Sequence, residues 1–174
     1  GHPPAADDCS GCHQPHASKE TRLLTSPRGE LCGACHDATD AALKKTHLGA
    51  DLAKADCLVC HSPHGEGQKK LLLQNVHAPV LDGCDTCHQG SSKKLSEDGG
   101  PALCLACHGD VDEAAKKAAV PHGALDAGPC TTCHNPHTSS RPKLVKASAE
   151  ACGDCHSDKI AGAGEVAHGV IGTL

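Results

Sequence analysis

The pentapeptide Cys-x-x-Cys-His occurs seven times in this chain: at Cys9, Cys12 and His13; Cys32, Cys35 and His36; Cys57, Cys60 and His61; Cys84, Cys87 and His88; Cys104, Cys107 and His108; Cys130, Cys133 and His134; and Cys152, Cys155 and His156. All fourteen cysteines fall in these motifs, so none is left for a disulfide. Two thiols at this spacing can bond the two vinyl groups of one porphyrin, and a histidine directly after them is placed to ligate its iron. The motif therefore reads as a c-type haem attachment site. One copy is equally compatible with a zinc knuckle; seven cysteine pairs, each followed at once by histidine, favour haem. The expected cofactors are seven haem c groups, covalently attached.

The rest of the composition agrees with a cofactor in place of a core. The chain has 174 residues, enough for one ordinary domain, yet no Phe, Tyr, Trp or Met. Aromatic side chains bury about 150–250 Å² each and normally dominate a core of this size. Seven haems would supply the missing planar apolar surface, with the polypeptide as a thin wrapping. The apoprotein is then expected not to fold, as for small domains that need their metal.

The formal charge is -5 with neutral histidines, and haem propionates would make the loaded protein more acidic still. Phosphate binding calls for concentrated Lys and Arg. Here the basic residues are scattered, with Lys44-Lys45, Lys69-Lys70, Lys93-Lys94 and Lys116-Lys117 as the only pairs, so nucleic acid is not an expected partner. No stretch approaches the roughly 20 apolar residues of a membrane span, and no charged and apolar leader stands at Gly1. Covalent haem attachment takes place outside the cytoplasm, so the sequence is expected to be a mature exported form, periplasmic or extracellular.

Internal repetition is visible once the motifs are set aside. Residues 30–74 and 102–146 read as two copies of one two-haem unit, each with a first motif, a histidine (His47 or His122), and a second motif ending in Pro-His. Residues 2–16, 77–88 and 150–168 read as half-units, the middle one carrying Gln89-Gly90 where Pro-His would stand. Residues 1–174 are thus read as a single multihaem array. Short helices are expected at 37–45 and 110–119, with acids early and lysines late, and a weaker one at 158–167. Residues 26–29, 91–101 and 138–142 have loop compositions, with 91–101 the expected flex point. No alternation persists long enough for a sheet.

Seven motif histidines leave eight others: His2, His16, His47, His64, His77, His122, His137 and His168. Seven six-coordinate irons need seven distal ligands, so one histidine is in surplus; methionine is absent, and all-histidine ligation at low potential is expected. His16, His64 and His137 each follow a motif histidine by three residues, too close to reach the other face of the same haem, and so should reach a neighbouring one. The prolines between them, Pro15, Pro63 and Pro136, restrict where that ring points. His47, His77, His122, His168 and His2 are the other distal candidates. His2 and His168 are the candidates for the surplus ring, or for a ligand that crosses to a neighbouring subunit in a head-to-tail contact.

The segments 9–16, 32–64, 104–137 and 152–168 together resemble the doubled-CxxCH multihaem c-type cytochromes, seen as periplasmic electron carriers, outer-membrane conduits and extracellular cytochrome filaments. The resemblance implies a multihaem cytochrome c fold: mostly loops with a few short α-helices wrapped around a chain of haems, with little or no β-sheet. It also implies close haem pairs and electron transfer without substrate chemistry. An enzyme reading would need an open iron position and nearby acid–base groups, and every iron here has a histidine available. The expected function is electron hopping in a soluble exported carrier. The alternative is a subunit of a polymeric extracellular filament. Expected partners are redox proteins or extracellular electron acceptors, and in the filament version another copy of the chain.

Overall fold

The computed structural model describes residues 2–65, 68–90, 92–96, 100–147 and 151–159. The fold is mostly short helices and loops, with minimal β-sheet. Among the described residues Leu24 is the only buried hydrophobic side chain; Ser62, Thr138 and Ser139 are the buried polar ones. With no Phe, Tyr, Trp or Met, and with leucines such as Leu23, Leu81 and Leu125 exposed, the fixed points among the described residues are backbone and hydroxyl hydrogen bonds.

The strongest of these fixed points is a two-residue antiparallel pair, β1 (Asn75–Val76) against β2 (Thr138–Ser139), with Asn75 opposite Ser139 and Val76 opposite Thr138. Thr138 is wholly buried, and its hydroxyl reaches the carbonyls of Asn75 at 2.9 Å and Leu73 at 3.3 Å. The Ser139 hydroxyl donates to the Val145 carbonyl at 2.7 Å. Residues 138–142, expected as loop, thus include a strand. The pairing is long-range and too short to leave an alternating pattern.

The helix Ala41–Thr46 starts later than the expected 37–45. Asp40 caps it by accepting from the Leu43 N–H at 2.7 Å, whereas Asp37 is engaged with Thr39. It ends where Leu48 and Gly49 take left-handed φ of 52° and 71°, with His47 at its C-cap. The second expected helix spans Gly109–Lys117 and begins directly after His108; Asp110 lies within it and does not cap it. Asp112–Lys116 and Glu113–Lys117 ion pairs lie along its exposed face, worth a few tenths of a kcal/mol each at most. Residues 26–29 were also expected as loop, but Arg28 and Gly29 open the helix Arg28–Gly33 behind Pro27. The expected helix at 158–167 lies largely outside the described residues, as does part of 91–101. No helix among the described residues is long and apolar enough to cross a membrane.

Candidate haem sites

Each motif closes into one helical turn. In all seven the histidine N–H donates to the first cysteine's carbonyl at 2.8–3.0 Å. The N–H of the second cysteine approaches the same carbonyl, at 3.2 Å for Cys12, Cys35, Cys60, Cys87 and Cys107 and at 3.3 Å for Cys133 and Cys155. Side chains three and four residues apart share one helical face, so this turn sets two thiols and an imidazole side by side. All fourteen cysteines are free, with no disulfide among them. Their surroundings differ: Cys107 and Cys155 are exposed, whereas Cys133 is half-buried, its thiol 3.9 Å from the Ala151 carbonyl beside the seventh motif. Motifs at 9–13, 57–61, 84–88 and 130–134 begin as 3-10 turns, whereas those at 32–36 and 104–108 continue a short α-helix.

Six motif histidines face a second imidazole across the chain. His36 lies opposite His2, His13 opposite His64, His61 opposite His47, His108 opposite His77, His88 opposite His137, and His156 opposite His122, with ring centres 5.9–6.2 Å apart. A gap of about 6 Å exceeds face-to-face contact, where carbon atoms meet at about 3.5–4.0 Å. It is close to the separation of two rings bound to opposite sides of one metal, since a metal–imidazole bond is about 2.0–2.1 Å and a ring centre lies about 1.2 Å behind its nitrogen. Among the described residues no group of three or more His, Cys, Asp or Glu is arranged to hold a metal. The donors come in pairs, so a metal held here would need its remaining ligands from a group such as a porphyrin. Open cavities lie beside Cys35 and His36 and beside Pro121 and His122. The residues present therefore fit the group.

His2, expected as one of two candidates for the surplus ring, instead sits 6.2 Å from His36, with the planes 20° apart. Among the described residues the rings without a facing imidazole are those of His16 and His134, both exposed. His168 lies outside the described residues.

Backbone carbonyls orient several rings by accepting from Nδ1, which leaves Nε2 free. His13, His61 and His134 each use a carbonyl nine residues on, those of Arg22, Lys70 and Lys143, at 2.9, 3.0 and 2.9 Å. His47 uses Leu43 at 2.8 Å and His77 uses Pro136 at 3.0 Å. A ligating histidine usually carries such a bond, which fixes its tautomer and raises its basicity. The three carbonyls at nine residues are turned inward by consecutive left-handed pairs, Arg22-Leu23, Lys70-Leu71 and Lys143-Leu144, with φ between 56° and 60°. Such a backbone costs of order 1–3 kcal/mol per non-glycine residue. These pairs were not singled out from the sequence; the signal for them is a basic residue, a leucine and then Leu24, Leu72 or Val145, recurring behind three motifs.

The motifs also contact one another. Burial, and after it the neighbouring Cys57 thiol, pushes the Cys32 thiol up; burial and then Cys130 do the same for Cys104. Burial also raises Cys60, against a lowering contribution from Asn135 in the sixth motif. Arg28 and Asp56 form an ion pair at 3.2 Å between the second and third motifs, half-exposed and so of small energetic weight. Burial first, then the His88 and His77 rings, lowers the proton affinity of His137. Raised thiols are poor nucleophiles, and a lowered imidazole stays neutral, the form that binds metal.

Compared with known proteins, the chain matches the family described as the doubled CXXCH motif over residues 2–41, 50–76, 77–113 and 122–161. No curated protein matches it significantly.

Proposed function

Because the chain belongs to the doubled CXXCH motif family of multihaem c-type cytochromes, we propose that it transfers electrons through seven covalently attached haems, each held between two histidines. The haem supplies the redox chemistry, and the protein supplies attachment, axial ligands and electrostatics. The cysteine pairs hold the porphyrins and the motif histidines ligate from one side. His2, His47, His64, His77, His122 and His137 would ligate six of the seven irons from the other. The observation that carries this reading is the set of six ring pairs, all at one spacing, each joining a motif histidine to one outside a motif. Paired histidines leave no iron position for a substrate, so the role is electron transfer and not catalysis, in an exported protein of the periplasm or cell exterior. The test is the mass of the holoprotein together with its ferric spin state. Seven haem increments and an all low-spin spectrum are expected; a missing haem or a high-spin centre active towards a small oxyanion would reverse the reading.

A second reading, the filament subunit, rests on His134 and His16. Both are exposed and face no other imidazole among the described residues. His64 and His137, which occupy the same place in their motifs as His16 does in its own, each face the proximal histidine of an earlier motif. By that rule His16 would serve a haem outside its own copy, and His134 holds one that needs a ligand. In the carrier version, His168 closes the seventh pair within the chain. The two versions differ in one ligand. If His168→Ala turns one haem high-spin in a monodisperse monomer, the carrier stands; if His16→Ala does so and dissolves an ordered polymer, the filament stands.

A further inference from the structure

His88 departs from the three motifs it otherwise matches. Its N–H bonds the Cys84 carbonyl like the others, and its loop closes the same way: Gln89 N–H donates to the Lys94 carbonyl at 2.8 Å and Ser96 N–H to the Cys87 carbonyl at 2.9 Å. These correspond to Gln14 to Leu23 at 2.7 Å and Thr25 to Cys12 at 3.0 Å in the first motif. The loop is shorter, however. The bridge behind His88 is to Leu95, whereas those behind His13, His61 and His134 are to Leu24, Leu72 and Val145, four positions further along. Among the described residues of this short loop only Gly90 has a left-handed φ, 59°; Lys93 and Lys94, which stand before the bridge where Arg22-Leu23, Lys70-Leu71 and Lys143-Leu144 stand in the others, do not. As a result His88 Nδ1 is the one buried side-chain nitrogen or oxygen among the described residues without a hydrogen-bond partner.

Resting on the reading of these rings as haem ligands, we infer that the haem held by His88 and His137 has the most positive reduction potential of the array and acts as its electron reservoir. An imidazole whose Nδ1–H donates to a carbonyl is the more basic ligand and favours ferric iron; second-shell hydrogen bonding of this kind is one of the levers that set a haem's potential. His13, His61 and His134 have the bond. His36, His108 and His156 have no protein partner at Nδ1 but are exposed, so water can take its place; His88 lacks the bond, and burial of its Nδ1 denies it water as a substitute. The electron therefore comes to rest there: one electron from a reduced partner protein takes ferric iron to ferrous, with no bond made or broken. The site lies inside the array, because the His137 carbonyl accepts from the N–H of His77, whose ring faces His108.

The test is a potentiometric titration of the full holoprotein with each haem followed separately by NMR of its methyl groups. The His88 centre should be reduced first. Replacing residues 89–94 by the sequence of residues 14–23 with alanine in place of His16, which brings its own left-handed pair without a further imidazole, should shift that centre to more negative potential and leave the others in place. The converse exchange, residues 14–23 replaced by 89–94, should shift the His13 centre upward, and serves if the first variant does not fold. Seven low-spin haems with the His88 centre within or below the range of the rest, or exchanges that move neither potential, would overturn the inference alone. Fewer than seven low-spin haems would instead fail the ligand reading beneath it.

Discussion

His77 donates from its Nδ1 to the carbonyl of Pro136 at 3.0 Å, and its backbone N–H donates to the carbonyl of His137 at 3.0 Å. Two imidazoles that face different motif histidines, His108 and His88, are thus positioned by one stretch of backbone. What keeps that stretch in place is the strand pair beside it, centred on buried Thr138. In this protein a buried hydroxyl takes the place that a core leucine has elsewhere.

Thr138→Val should therefore be costly although its shape is conserved. It leaves the Leu73 and Asn75 carbonyls without the hydroxyl, and an unsatisfied buried polar group costs about 1–3 kcal/mol. Thermal unfolding should shift down by a corresponding amount with the haem count unchanged; an unaltered midpoint would show that the strand pair is not a fixed point.

His64→Ala removes the ring 5.9 Å from His13. The first haem should become high-spin while the remaining centres stay low-spin, a change that electron paramagnetic resonance reads directly. A spectrum that changes at several haems would mean that His64 acts through packing and not as a ligand.

Asp40→Ala removes the side-chain cap on Leu43. Loss of an N-cap costs about 0.5–2 kcal/mol, and the helix affected is the one that delivers His47 to His61. Local hydrogen exchange should rise in residues 41–47, and the His61 haem should be the first to change spin state on heating. Asp40→Asn should restore both, because an amide oxygen caps as well.

Acid should loosen the first motif late. The Asp8 carboxyl lies below its ordinary value because the Ser10 hydroxyl, and then the Ser10 N–H, bond the charged form. A group lowered on folding contributes at every pH above its ordinary carboxylate value, and the contribution is lost as pH falls through the lowered value. An NMR titration of Asp8 should show that depressed midpoint, and Ser10→Ala should move it back up.

Without haem the chain should not fold. Leu24 is the only buried hydrophobic side chain among the described residues, far from the apolar burial that would offset roughly 1–2 kcal/mol of backbone entropy per ordered residue. Protein made without haem attachment should give a disordered circular dichroism spectrum and no cooperative transition. A cooperative melt would show a core that the structure does not contain.

The helical and loop architecture with minimal sheet was legible in the sequence, because no apolar–polar alternation persists long enough for a sheet and two short segments carry acids early and lysines late. The helices carrying Lys44-Lys45 and Lys116-Lys117 were legible in existence but not in their starts. The expected start at 37 gives way to Asp40, which caps the helix, because Asp37 is engaged in its own turn with Thr39. The strand pair was not legible, since two residues leave no period. The left-handed pairs were hidden for a different reason: Arg22, Lys70 and Lys143 are residue types that do not favour that conformation, and they adopt it because closing the loop behind each motif requires it.

By itself the sequence determined the seven Cys-x-x-Cys-His motifs and the family, because everything that defines such a motif lies within one helical turn and is fixed by spacing along the chain. Which histidine faces which motif was decided by the tertiary structure alone. A facing imidazole arrives from any distance along the chain, as His47 does over a short loop and His64 over more than the length of a two-haem unit. His2, whose place near the chain's start suggested a spare ring, is brought by folding to within 6.2 Å of His36, and among the described residues the rings without a facing imidazole are those of His16 and His134.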